Sequence, residues 1–248
     1  MLLPRIGGLI ERRLLLNFRV DPEALESILP DPFEPLIVND VGIAGICLIR
    51  LTHLRPPGVP RAFGMSSENA AHRVAVRLPD GTEGVYIPRR DTNSRLNTVI
   101  GGRLFPGAHH HARFQVIDTG DLIKLAMRSD DGQTQVQVEG HSGIQLEPSS
   151  VFLDLDSVSS FFEQGSVGYS ATSDSNRFDT LRLKTRDWRV TPLTVQHVSS
   201  SFFDDSNLFP AGTVEFDNAL IMRGVEHEWE SGDSLYCAET VDLDRSDP

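Results

Sequence analysis

The stretch between positions 66 and 111 holds the residues of this chain whose types and spacing could do chemistry. It reads SSENAAHR, then GVYIPRRDTNSR, then GGRLFPGAHHH, and gathers one Glu, several Arg, an Asp and three consecutive His. Glu68 stands in a polar Ser66-Ser67-Glu68-Asn69 run just before an apolar segment, which would place its carboxylate at the mouth of a barrel. There it can act as a general base if burial raises its pKa toward neutrality. The plainer alternative is a solvated loop acid or a structural partner of Arg73. Arg89, Arg90, Arg95 and Arg103 flank a short helical signal and offer the planar guanidinium forks that clamp carboxylates or phosphates. Asp91 can hold one of them, and strand alternation forbids Arg89 and Arg90 from both facing inward.

The run His109-His110-His111 raises a metal alternative, because His109 and His111 share a strand face and either could meet His72, His53 or Glu68 in a zinc-type set. No HExxH and no closely spaced Cys/His set accompanies it, so hydrogen-bonded or exposed histidines are expected and no metal site is assigned. His141, His197 and His227 stand apart and are expected to be structural. There is no GxSxG, P-loop or dinucleotide fingerprint; Gly7-Gly8 and Gly101-Gly102 lack the required spacing.

These residues must be held by a fold of 248 residues with 39% hydrophobic content, enough for one large core. A net charge of -12, from 35 acidic and 23 basic residues, argues against nucleic acid and anionic membranes as partners. Lys124 and Lys184 are the only lysines, so reactive amines are scarce. Cys47 and Cys237 lie far apart and form neither a disulfide framework nor a metal knuckle, which fits a reducing cytoplasm. The longest apolar run, 41–49, falls far short of the roughly 20 residues of a membrane helix.

Residues 12–20 read as a strand, followed by Asp21-Pro22-Glu23 as a helix start whose buried stripe is Leu25, Ile28 and Leu29. Residues 41–51 read as a buried strand. Asp80-Gly81, Thr119-Gly120 and Asp131-Gly132 are hairpin turns between β-rich runs and predict antiparallel strands near 72–78, 84–89, 109–117, 121–128 and 134–141. A short helix with Leu96, Val99 and Ile100 is expected after Asp91, and a second with Val158, Phe161 and Phe162 from about 154 to Gly165. Strands follow near 180–190, 193–201 and 214–223. The pattern predicts one α+β domain over 1–230, predominantly antiparallel β and closed or half closed into a barrel with a few flanking helices. Residues 231–248 are expected to form an acidic, loosely ordered tail.

The order of LNFRVDPEALESILPDPFEP, GICLIRLTHLRP, SSENAAHRVAV, GVYIPRRDTNSRL, GGRLFPG, GSVGYS, SSFF and ALIMRGVEHEW resembles an uncharacterised conserved bacterial and archaeal family of the acetoacetate decarboxylase-like superfamily. The resemblance runs from about residue 12 to 229. It implies that Arg12 or Arg13 matches the decarboxylases' first-strand Arg and that Glu68 matches their turn Glu. Their second Glu is replaced within Gly45-Ile46-Cys47. Gly102-Arg103 and Phe105-Pro106 keep the framework around the Schiff-base Lys, but Gly107, Ala108 and the histidines occupy the place of the lysines. With no amine there, imine chemistry is disfavoured.

The implied pocket takes a small organic acid, with Glu68 as acid/base and Arg12, Arg13, Arg103, Tyr86, Phe105, His109 and His110 as its ligand-binding set. It belongs to a noncovalent acid/base enzyme or, alternatively, to a non-catalytic small-ligand sensor or assembly scaffold; a metal hydrolase using the histidines is a third reading. No cofactor is assigned, and the superfamily's habit of homo-oligomerisation is permitted here.

Overall fold

A computed structural model of the chain describes residues 5–95, 107–172, 174 and 176–237. Its strands are β1 (Arg5–Val20), β2 (Glu34–Pro35), β3 (Ile37–Val38), β4 (Val41–Arg55), β5 (Met65–Arg77), β6 (Glu83–Thr92) and β7 (His109–Asp118). They continue as β8 (Leu122–Ser129), β9 (Gln135–Ser142), β10 (Val167–Ala171), β11 (Arg177–Thr185), β12 (Thr191–Ser200), β13 (Val214–Ser231) and β14 (Leu235–Tyr236). Among the described residues two α-helices, α1 (Pro22–Glu26) and α2 (Leu155–Gln164), flank the sheet.

Asp21 caps α1 by accepting the Glu23 backbone N–H, with Pro22 at the first helical position, but the helix ends at Glu26, so Ile28 and Leu29 of the expected stripe pack on the core from the turn beyond it. Asp154 and Ser157 cap α2 reciprocally, Gly165 ends it, and Val158 and Phe162 form its buried stripe. The hairpins β5–β6, β7–β8 and β8–β9 turn at the expected Gly pairs; Gly81 and Gly120 take φ of 82° and 92°, a backbone region that favours glycine.

Closure comes from long-range pairing. The path β6-β7-β8-β9-β12-β13-β1-β4-β5 returns to β6 and closes a nine-stranded barrel. A second ring shares the wall β13-β1-β4-β5-β6 and closes through β10, which pairs with β6, and β11, which pairs with both β10 and β13. Because side chains alternate across a strand, each shared strand presents one set of residues to each ring. Leu14, Leu16, Ile46, Leu48 and Val74 join one core with Leu125 and Val138 of the nine-stranded barrel. Leu15, Cys47, Ile49 and Leu51 join a second core with Leu181, Leu183 and the helix residues Val158 and Phe162.

The sheet is predominantly antiparallel as expected, and within it β6 runs parallel to both β7 and β10. β10 was not anticipated, since its Val167-Gly168-Tyr169-Ser170 is short and glycine-interrupted. The strand expected over 180–190 ends at Thr185. The helix expected around Leu96, Val99 and Ile100 lies outside the described residues. Of the segment from Ser231 onward, Leu235–Tyr236 pair with β11, and 238–248 lie outside the described residues. No helix among the described residues is long and apolar enough to cross a membrane.

Candidate functional site

Every strand of the second ring contributes to one cavity of about 100 Å³. Its walls include Arg13 from β1, Cys47 and Leu51 from β4, Asn69 and Arg73 from β5, Arg90 from β6, Gly168 from β10, Leu183 from β11 and Trp229 from β13. His109, at the start of β7, also lines it. An apolar cavity of ~150 Å³ admits benzene, so this one has room for an anion of a few heavy atoms.

In the polar lining Arg13, Arg73 and Arg90 outnumber the one described carboxylate, Asp91, which pairs with Arg89. Arg13 stacks on Trp188 with its guanidinium carbon 5.5 Å from the ring centroid, and its Nε donates to Cys47 Sγ at 3.2 Å. Arg73, only 6% exposed, lies 4.4 Å from the Phe162 ring centroid and donates to Asn17 Oδ1. Gly45 permits that reach: a Cβ there would come within 3.4 Å of the Arg73 guanidinium and collide with the Leu16 carbonyl. Arg90 donates from Nε and Nη2 to Ser170 Oγ at 3.2 and 3.0 Å. None of the three pairs with a carboxylate among the described residues. Buried Arg13 Nη1, Arg73 Nε and Trp229 Nε1 have no acceptor there.

Burial pulls Arg73 and Arg90 down to about 10, with Cys47 opposing the shift in both. Burial, and then the Arg90 charge, pulls His109 down to about 4, although the Gly107 carbonyl opposes this. His109 Nδ1 lies 3.2 Å from that carbonyl, and its ring is neutral at pH 7.

Glu68 and Arg12 are not in this cavity. Glu68 sits within β5 rather than in a loop, 6% exposed, on the opposite face of the shared wall. Arg12 Nη2 donates to its Oε2 at 2.7 Å, and Arg50 approaches Oε1 at 3.5 Å. Arg12 also lies 3.6 Å from Asp118. The alternatives of a solvated loop acid or a partner of Arg73 are both corrected: Glu68 is buried, β5 alternation sends it and Arg73 to different faces, and Arg12 takes the carboxylate.

Tyr86 also faces away, packing against Phe33 and Phe178 at centroid distances of 5.3 and 6.0 Å. His110 pairs with Asp131 at 3.0 Å, and His111 with Asp130 at 2.8 Å. His72 is buried against Phe202, 3.3 Å from Ser200 Oγ. No group of three or more metal-ligating side chains occurs among the described residues. Arg103 and Phe105 lie outside the described residues. Of the described members of the expected set, the cavity takes Arg13 and His109, while Arg12 and Glu68 meet each other on the opposite face.

Arg89 and Arg90 part as alternation requires: Arg89 pairs with Asp91 and Asp131, both at 2.9 Å, while Arg90 enters the cavity. The residues missed were Arg73, Asn69, Cys47 and Trp229. All lie on shared-ring strands, and register with Arg13 was the only signal that could have found them.

A sequence profile for the family described as an uncharacterized conserved protein, DUF2071, matches residues 10–225. The chain belongs to the DUF2071 family. No curated protein matches it. Among solved structures, acetoacetate decarboxylase from Legionella pneumophila is similar with a TM-score of 0.59 and 12% identity, over 92% of this chain and 87% of that one. An acetoacetate decarboxylase-like enzyme from Sphingomonas wittichii RW1 gives 0.58 and 11%, over 96% and 94%. The enduracididine biosynthesis enzyme MppR, solved with pyruvate, gives 0.57 and 11%, over 94% and 90%. This DUF2071 member therefore has the acetoacetate decarboxylase-like barrel fold.

Proposed function

We propose that this DUF2071 protein binds a small organic acid in the cavity of the second ring, with the carboxylate held by Arg13, Arg73 and Arg90. One observation carries the reading: three guanidinium groups, none of them in an ion pair among the described residues, line a single partly buried cavity whose one described carboxylate, Asp91, is held by Arg89. Charge taken out of water without a counter-charge is costly, and an anionic ligand supplies that counter-charge. Guanidinium forks suit a carboxylate, and the size of the cavity suits a short one. The neighbour solved with pyruvate supports the same ligand class on the same fold.

Neutral His109, beside Arg90, takes the acid/base position first expected of Glu68. A non-catalytic sensor is the second reading. It is favoured by the placement of both lysines, Lys124 with Glu139 at 2.5 Å and Lys184 with Glu230 at 2.6 Å, in exposed ion pairs outside the cavity. A cytoplasmic location and a homo-oligomeric assembly belong to the same proposal, the latter tested by light scattering. Thermal stabilisation by a panel of short oxo acids, hydroxy acids and phosphates tests the binding claim, since a ligand specific to the native state raises its melting temperature by mass action. Silence across the carboxylates would sink it.

A further inference from the structure

Two cysteines of this chain stand in opposite electrostatic settings. Cys237 donates its thiol to the Asp31 carbonyl at 2.9 Å, and burial, then the charges of Asp31 and Asp174, push that thiol up. Cys47 instead lines the arginine cavity, where Arg13 Nε donates to its sulphur at 3.2 Å and Arg73 and Arg90 lie within Coulombic reach. That is the electropositive, partly enclosed setting in which reactive cysteines are found. Besides Cys47, the described cavity lining offers as nucleophiles the Ser166 hydroxyl, the His109 ring and the Asp91 carboxylate, the last already held by Arg89. The buried N–H donors without acceptors on Arg13, Arg73 and Trp229 add an independent sign that the cavity is built to receive electron-rich atoms.

We infer that Cys47 is a nucleophile that adds covalently to the carbonyl carbon of a short 2-oxo acid held by these arginines. The inference rests on the organic-acid reading above and adds the reaction to it. The sulphur forms a bond to C2, the carbonyl π pair moves onto oxygen, and the thiol proton ends on that oxygen. The product is a hemithioketal; nothing is oxidised or reduced and no co-reactant is consumed. The arginines orient the carboxylate so that C2 faces the sulphur, and a nearby N–H donor such as Trp229 Nε1 can receive the developing negative charge.

The test is alkylation of the native full-length protein with iodoacetate and, separately, with iodoacetamide, each site's rate being read by peptide mass spectrometry. Cys237 is the internal reference, because its acidic neighbours repel an anion. The iodoacetate-to-iodoacetamide rate ratio at Cys47 is expected to exceed that at Cys237 on the order of tenfold or more, the scale of electrostatic focusing in a charged cleft. It should fall toward the Cys237 value in Arg13→Gln, and a short 2-oxo acid should protect Cys47. With the acid labelled with carbon-13 at C2, its carbonyl resonance should move to the tetrahedral region with the wild type and stay in place with Cys47→Ala. Equal ratios at the two cysteines, no labelling of Cys47 while Cys237 reacts, or no Cys47-dependent resonance shift would each overturn the inference. Thermal shifts on the same preparation separate the two claims: stabilisation by the acid with an inert Cys47 removes only the covalent step, whereas neither stabilisation nor protection removes the acid pocket as well.

Discussion

Arg12 and Arg13 are consecutive in the chain, yet one ends against Glu68 and Asp118 while the other reaches a cavity whose one described carboxylate, Asp91, is already held by Arg89. The same division runs across the shared wall. On the nine-stranded side Glu68 is met by Arg12 and Arg50, and Arg223 holds Asp118 at 2.8 Å, so charges are compensated within the protein. On the other side Arg13, Arg73 and Arg90 are steadied by Trp188, Phe162, Asn17 and Ser170, none of which carries negative charge. The first arrangement completes a fold; the second, in the function proposed above, takes its counter-charge from a ligand. A carboxylate in the sequence is thus a poor guide to function until its partner is known.

The sharpest way to break this comparison is to remove a charge from the compensated side. Glu68→Gln leaves buried Arg12 only the longer 3.6 Å contact to Asp118 and is expected to cost about 3–5 kcal/mol of stability by chemical denaturation, while the acid-binding constant of the folded fraction stays near wild type. Loss of binding with stability intact would return Glu68 to the functional site.

Acid pH probes the cationic side next. Burial, and then Arg13, holds His227 near 4 in the fold, against its ordinary value of about 6.5. Between these values the unfolded chain binds more protons, so stability is fully present above about pH 6.5 and falls as pH drops through the window. His227→Gln should remove one proton's share of that slope, roughly 1–2 kcal/mol between pH 7 and 5. An unchanged slope would show that His227 is not held neutral.

A free-energy effect of comparable size is expected at the binding step. Arg90→Gln should weaken a short carboxylic acid by about tenfold or more in calorimetry, the worth of one charge-assisted hydrogen bond of ~1.5–3 kcal/mol, with little change in stability. Lys184→Ala provides the control: its ion pair with Glu230 is exposed, so stability should move by at most ~1 kcal/mol and acid affinity not at all.

Much of the scaffold was legible because its signals are local. The Asp80-Gly81, Thr119-Gly120 and Asp131-Gly132 turns fixed three hairpins, and Asp21-Pro22 and Asp154 through Gly165 marked both helices. Ring closure was not legible, since β6–β10 and β11–β13 join residues far apart in sequence and no short motif encodes them. The site suffered more from the same cause. Alternation separates Arg12 from Arg13 and Arg89 from Arg90, but it cannot say which of each pair meets the cavity. That depends on bulges, such as the β5–β6 register shift between His72 and Val74 near Pro88, and on where α2 lays Phe162.

The most direct test of the central claim is a calorimetric titration of short carboxylic acids, oxo acids included, into the wild-type protein and into Arg13→Gln. Saturable binding by the wild type that is lost or weakened at least about tenfold in a folded Arg13→Gln is the predicted result. No binding by any carboxylate, or binding indifferent to Arg13, would contradict it.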